Sequence, residues 1–150
     1  MKSKLLVVGA SIFFAFCGYI YAQDEVNKFA DGYIQYFRND DFAALYSNMC
    51  QTAKVAMSQE GMTGLIKIEK EILGNIIDYI NVETLQRTSE GVPETVLNYV
   101  ADFERGKGVI TISIIKENNA LKIKVFHIDS PAFLKPKSKE LLQNFQLTQK

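Results

Sequence analysis

The chain is poor in the residue types that most often announce a chemistry. In 150 residues it has one histidine, two cysteines and three prolines. A single histidine, His127, excludes a metal centre built on several imidazoles. There is no Cys-x-x-Cys pair, no phosphate loop and no Gly-x-Ser-x-Gly elbow, so the chemistries those motifs support have no foothold. Basic and acidic residues balance at 17 each, which gives no electrostatic argument for nucleic acid. No aromatic–basic interleaving marks a single-strand binding surface. The basic run Lys135 to Lys139 is short and reads as solubilising. Internal repeats, low-complexity tracts and Pro/Gly linkers are missing too.

What is present begins with a leader. Lys2 and Lys4 precede an uncharged, apolar run from Leu5 to Tyr21, then Ala22 and a polar Gln23-Asp24-Glu25. A basic start, an apolar stretch and a small residue at the exit predict a secretory signal, 1–22, cleaved after Ala22. The protein is then expected to be periplasmic or secreted. The competing reading is an uncleaved membrane anchor: Ile20 is large for its position, and the run sits at the lower edge of the ~17–25 residues that span a bilayer. Lipidation of Cys17 is disfavoured by Phe16 before it.

Cleavage leaves 23–150 as one domain, with 15 basic against 17 acidic residues. Cys50 is its only thiol, so no internal disulfide forms and packing must hold the domain together. Cys50 itself reads as a small buried apolar residue.

The first half is helical by pattern. Val26, Phe29, Ala30, Tyr33 and Phe37 make one apolar stripe on a helix from about Asp24 to Arg38. Asn39-Asp40-Asp41 breaks it, and Asp40 or Asp41 caps a second helix carrying Phe42, Leu45, Tyr46 and Met49. A less regular stretch over 51–61 leads to a third helix from about Met62 to Leu73, which Gly74 ends. Leu65, Ile68 and Ile72 form its stripe, supported by Ile66 and Leu73.

From Ile76 the period changes to two, giving strands at about 77–88, 94–105, 108–117 and 120–129. An Asn118-Asn119 turn pairs Ile114 with Ile123, Ile112 with Val125 and Ile110 with His127. A Gly106-Lys107 turn pairs Phe103 with Ile110, Ala101 with Ile112 and Tyr99 with Ile114. Both hairpins put Leu97, Tyr99, Ala101, Phe103, Ile110, Ile112, Ile114, Leu121, Ile123, Val125 and His127 on one face, where a one-residue slip would reverse them. The first strand is open between two registers, with either Ile80 and Val82 or Tyr79 and Leu85 inward. A short C-terminal helix over 137–147, bearing Leu141, Leu142 and Phe145, could dock on the sheet, cover an edge or stay mobile. The expected fold is α+β: three helices packed on the concave face of a curved, mostly antiparallel four-stranded sheet.

The segment Asn39-Asp40-Asp41-Phe42-Ala43-Ala44-Leu45-Tyr46, the helix end Glu71-Ile72-Leu73-Gly74 and the long hairpins from Glu94 to Asp129 resemble small exported bacterial members of the nuclear transport factor 2-like superfamily, the cystatin-like cone fold. That resemblance spans nearly all of 23–150. It implies a cone-shaped cavity between helices and sheet, and dimerisation through the sheet. It says little about chemistry, because the superfamily hosts enzymes, carriers and partner-binding domains alike.

The expected pocket is lined by Tyr33, Phe37, Tyr99, Phe103, Ile112, Val125 and His127. His127 is the one catalytic candidate, as a general acid or base facing Tyr99, Tyr33, Tyr36 or Asp31. With no partner identifiable in sequence, a half-buried histidine at a sheet end is the better-supported reading, and Tyr99 reads first as core. The outward side of the sheet, with Val96, Val100, Ile115, Phe126 and Ile128 among polar residues, is a candidate homodimer or partner surface. The expected function is therefore an exported, non-catalytic binding or interaction module for an apolar ligand or a protein partner, with no cofactor, no metal and no nucleic acid. The alternatives are a periplasmic inhibitor or immunity-type protein, and a small isomerase- or dehydratase-like enzyme using His127.

Overall fold

The computed structural model describes residues 22–148. The expected export signal, Cys17 included, lies outside the described residues. The first described helix, α1, covers 22–38 and buries Ala30, Tyr33 and Phe37 of the stripe seen in the sequence, with Ile34 beside them. Asp40 then takes a positive φ of 58°. Asp41 caps α2 (Phe42–Ser47), its carboxylate accepting from Ala44 N at 3.0 Å. Lys70 Nζ donates to the last carbonyls of α1, Phe37 at 2.9 Å and Arg38 at 3.3 Å, and pairs with Asp40. Groups that the helix end would leave bare are thereby satisfied.

The stretch expected to be irregular contains a helix, α3 (Gln51–Ala56). It buries no residue, so it presents no apolar stripe for sequence periodicity to register. The next helix, α4 (Gln59–Leu73), starts three residues before the expected Met62 because Ser58 Oγ caps it, accepting from Gly61 N at 3.1 Å. Gly74 ends it at φ 77°.

Four antiparallel strands follow in the order β1-β2-β3-β4: β1 Ile76–Ser89, β2 Val92–Phe103, β3 Gly106–Glu117 and β4 Ala120–Asp129. The fold is thus α+β, an open four-stranded antiparallel sheet with helices before it.

Both expected hairpin registers need correction, the second only beyond a bulge. The β2–β3 turn is Glu104-Arg105, not Gly106-Lys107, so Tyr99 faces Ile110 and Leu97 faces Ile112. This turn is held from outside the hairpin: Glu104 N donates to Asn75 O at 3.0 Å and Arg105 N to Leu73 O at 2.8 Å. Such long-range anchors leave no mark on local turn chemistry. The register moves by an even number of residues, so every side chain keeps its expected face.

The β3–β4 turn is Asn118-Asn119 as expected, with φ of 51° and 63°, and Ile114 faces Ile123. A bulge at Lys124 then shifts the pairing to Ser113–Val125, Ile112–Phe126 and Ile110–Ile128. The extra residue reverses the faces beyond it. Phe126 and Ile128 turn inward, whereas Val125 and His127 turn outward, opposite to expectation.

In β1, Tyr79 is the inward residue, opposite Ala101, while Ile80 and Leu85 lie outward opposite Val100 and Val96. The second register was therefore right for Tyr79 and wrong for Leu85, because Val82 is an extra residue between Asn81 and Glu83. After β4, Ser130 Oγ caps a short 3-10 turn (Pro131–Leu134), accepting from Ala132 N at 3.2 Å. Helix α5 (Pro136–Thr148) docks on α4 rather than on the sheet or an edge. The approach is close at Gly64, where a Cβ would sit 2.7 Å from the Phe145 ring.

Candidate functional site

The space between α1 and the sheet is filled by the protein's own side chains. Tyr33, Ile34 and Phe37 join Leu97, Phe103, Ile110 and Ile112 in one buried cluster. The Phe126 ring, brought inward by the bulge, lies 5.3 Å from Tyr33 and 5.6 Å from Phe37. Of the residues expected to line a pocket, Phe37, Phe103 and Ile112 are thus packed into this core. His127 is exposed and pairs with Thr111 on the face opposite Tyr99. An acid–base constellation of His127 with Tyr99 or with α1 residues is not assembled.

Open space lies instead on either flank. On the β4 side, α1, α3, α4 and the strand edge enclose a cleft of about 250 Å³. Tyr33, Met49, Met57, Met62, Ile66 and Phe126 give it an apolar wall, with Val125 at the β4 edge. Two expected pocket residues, Tyr33 and Val125, therefore meet here. Methionine side chains are flexible and polarisable, suited to a surface that must adapt to what it holds.

One carboxyl group breaks this wall. Glu69 lines the cleft, and burial pushes its pKa up to about 7. It has no hydrogen-bond or ion-pair partner among the described residues. Its sequence neighbour Lys70 and the cleft residue Lys124 are committed elsewhere. Lys70 holds the end of α1, and Lys124 Nζ reaches Ser89 Oγ at 3.1 Å and Glu94 at 3.3 Å. Burial also raises the pKa of the Tyr33 hydroxyl.

Sequence reasoning missed Glu69 and the methionines, yet a signal existed. Met62, Ile66, Glu69 and Leu73 follow helical spacing, so Glu69 occupies a position on the apolar stripe of α4. A charged residue on such a stripe needs a partner or a purpose.

The β1 flank holds a second, polar cleft of about 490 Å³, lined by Asn27, Asp31, Asp78, Tyr79, Asn81 and Tyr99. The Tyr79 and Tyr99 rings meet edge to face at 5.7 Å, and Gln35 Nε2 donates to the Tyr79 hydroxyl at 3.3 Å. Tyr99 is pushed up to about 12, chiefly by burial and less by Asp31 and Tyr79, against a lowering bond from Asn81. Loss of water around Asp31 raises its carboxyl too.

On the outward face a buried carboxylate joins all four strands. Glu94 of β2 pairs with Arg87 of β1, accepts from Ser113 Oγ of β3 at 2.8 Å, and pairs with Lys124 of β4. Burial alone would raise its pKa, but the bonds from Arg87, Ser113 and Lys124 outweigh that and hold it below the ordinary value. This group is structural cement, fully engaged.

No family model matches this chain, and no curated protein matches it. Among the described residues no three His, Cys, Asp or Glu side chains group as a metal site, and no helix is long and apolar enough to cross a membrane.

Proposed function

We propose that this chain is an exported, non-catalytic binding module of the cone fold whose ligand is a small amphiphile with an apolar body and a cationic head. The observation that carries this reading is Glu69, a partly buried carboxyl without a partner inside a methionine-lined cleft. An isolated buried carboxylate is unfavourable. An ammonium group from the ligand would supply the missing charge partner, while the apolar body covers Met49, Met57 and Met62. The pattern of a mostly apolar concavity with few polar groups is that of small-molecule sites generally.

The test is a titration of the full chain with 1-octylamine and with 1-octanol, followed by the methionine methyl resonances. Saturable shifts at Met49, Met57 and Met62 are expected. Octylamine binding should tighten as pH rises through 7 and Glu69 ionises, while octanol binding should not. Ala53→Phe, which fills the cleft from α3, should weaken both. Absence of a saturable response at those three methyls, or a response indifferent to Ala53→Phe, overturns the reading.

A further inference from the structure

Strand β1 forms an open edge of the sheet. Among the described residues it pairs only with β2, and from Ile80 to Thr88 it is exposed on both faces. Ile77, Ile80, Val82 and Leu85 are between 46% and 65% exposed. Neither lysine nor proline interrupts 76–89, so two common defences against edge-to-edge pairing are missing.

The edge is self-complementary in one register. Place a second copy antiparallel to the first, with the two-fold axis between Val82 and Glu83. Ile80 then stands opposite Leu85 of the second copy, and Asp78 stands opposite its Arg87. In a regular strand, residues separated by an odd number lie on opposite faces and could not meet this way. The extra residue Val82 removes that obstacle. Asp78, Ile80, Leu85 and Arg87 all lie on the outward face, opposite Asp102, Val100, Val96 and Glu94 of β2.

The backbone agrees with the side chains. Ser89 and Val92 flank the two-residue Glu90-Gly91 turn, which makes them a hydrogen-bonded pair. Alternation then aims the N–H and C=O groups of Thr84 and Gln86 away from β2. In the same register these residues face Asn81 and Tyr79 of the second copy, whose backbone groups also point away from β2 while their side chains stay inward. The Tyr79 N–H, which donates to Asp78 Oδ1 at 2.9 Å in the single chain, would exchange that partner on pairing.

Arg87 can serve two carboxylates. Its Nε bonds Glu94, the side chain is 61% exposed, and a guanidinium carries further donors beyond the one spent there. We infer that β1 pairs with β1 of a second copy in this register, joining two four-stranded sheets into one of eight strands. The interface is isologous: each apolar pair and each Asp78–Arg87 pair forms twice.

Site-directed disulfides test the register in the full chain carrying Cys17→Ser. Ile80→Cys with Leu85→Cys should give a covalent dimer under mild oxidation, while either substitution alone should not. A dimer linked through Leu85→Cys alone would show a different register and overturn the proposal. Light scattering should show a dimer for the parent chain at micromolar concentrations. Ile80→Lys with Leu85→Lys should be monomeric at the same concentration while keeping its circular dichroism. Asp78→Asn should raise the dimer dissociation constant roughly tenfold at low salt and flatten its salt dependence. A parent chain that is monomeric, or a lysine variant that is folded and still dimeric, overturns the proposal.

Discussion

At the β4 edge, Cys50 N donates to the Ile123 carbonyl at 2.8 Å, and Ile123 N donates to Asn48 O at 2.9 Å. The segment before α3 thus closes that edge as a short parallel bridge. At the β1 edge no described residue does the same. The closed edge draws Met49, Ala53 and Met57 opposite α4, and this is what leaves a cleft beside Glu69. The open edge leaves backbone groups and apolar side chains for association. One sheet therefore offers a small-molecule cleft on one side and a strand on the other. Glu94 ties both edges together through Arg87 and Lys124, and Lys124 also reaches Ser89 of β1 directly.

Cutting that tie should have the largest effect. Glu94→Ala leaves Arg87, Ser113 and Lys124 without their shared acceptor and should lower unfolding stability by about 2–4 kcal/mol at pH 7, read by urea denaturation. Because Glu94 titrates below its unfolded value, its contribution is present above the ordinary carboxylate range and is lost as pH falls through its folded value. The deficit of the variant should therefore shrink in acid.

Opening the closed edge comes next. Cys50→Pro removes the N–H that reaches Ile123 at a residue whose φ of −70° suits proline. It should lower stability by about 1–3 kcal/mol through an unsatisfied carbonyl. Hydrogen exchange at the Ile123 amide should accelerate with it.

Glu69→Gln should act in the opposite direction. The folded pKa lies above the unfolded one, so wild-type stability falls as pH rises from about 4.5 to about 7. The neutral variant escapes that penalty and should be more stable by about 1–2 kcal/mol at pH 8, and equal to wild type at pH 4. A thermal-melt series across pH checks the sign. On the open edge, Val82→Thr should change unfolding stability by no more than about 0.5 kcal/mol, since Val82 is 57% exposed.

The two edges also differ in how legible they were. Period two read all four strands, and the paired asparagines marked the β3–β4 turn, because those signals are local. Apolar spacing read α1 for the same reason. It found α4 too but centred its stripe on Leu65, Ile68 and Ile72, whereas Met62, Ile66 and Leu73 are the buried ones. The faces of Val125 and His127 were misread because an extra residue, Lys124, bulges β4, and its partners Ser89 and Glu94 lie on distant strands that local alternation does not register. The β2–β3 turn was misplaced because bonds from Leu73 and Asn75 position it. Helix α3 escaped notice since it buries nothing. Of the expected pocket residues, Phe37, Phe103 and Ile112 joined a packed core with Tyr33 and Tyr99, while Val125 and His127 turned to the other face. The cleft beside them depends on a six-residue helix that carries no amphipathic pattern, so only Glu69 on the stripe of α4 could have pointed to it.

The most direct test of the cleft is the pKa of Glu69, measured by carbon-detected titration of its carboxyl in the full chain with and without saturating 1-octylamine. Without the amine the carboxyl should titrate at about 7, and with it the midpoint should fall toward the ordinary carboxylate range. A midpoint already ordinary in the free protein, or one that octylamine leaves unmoved, would contradict the account.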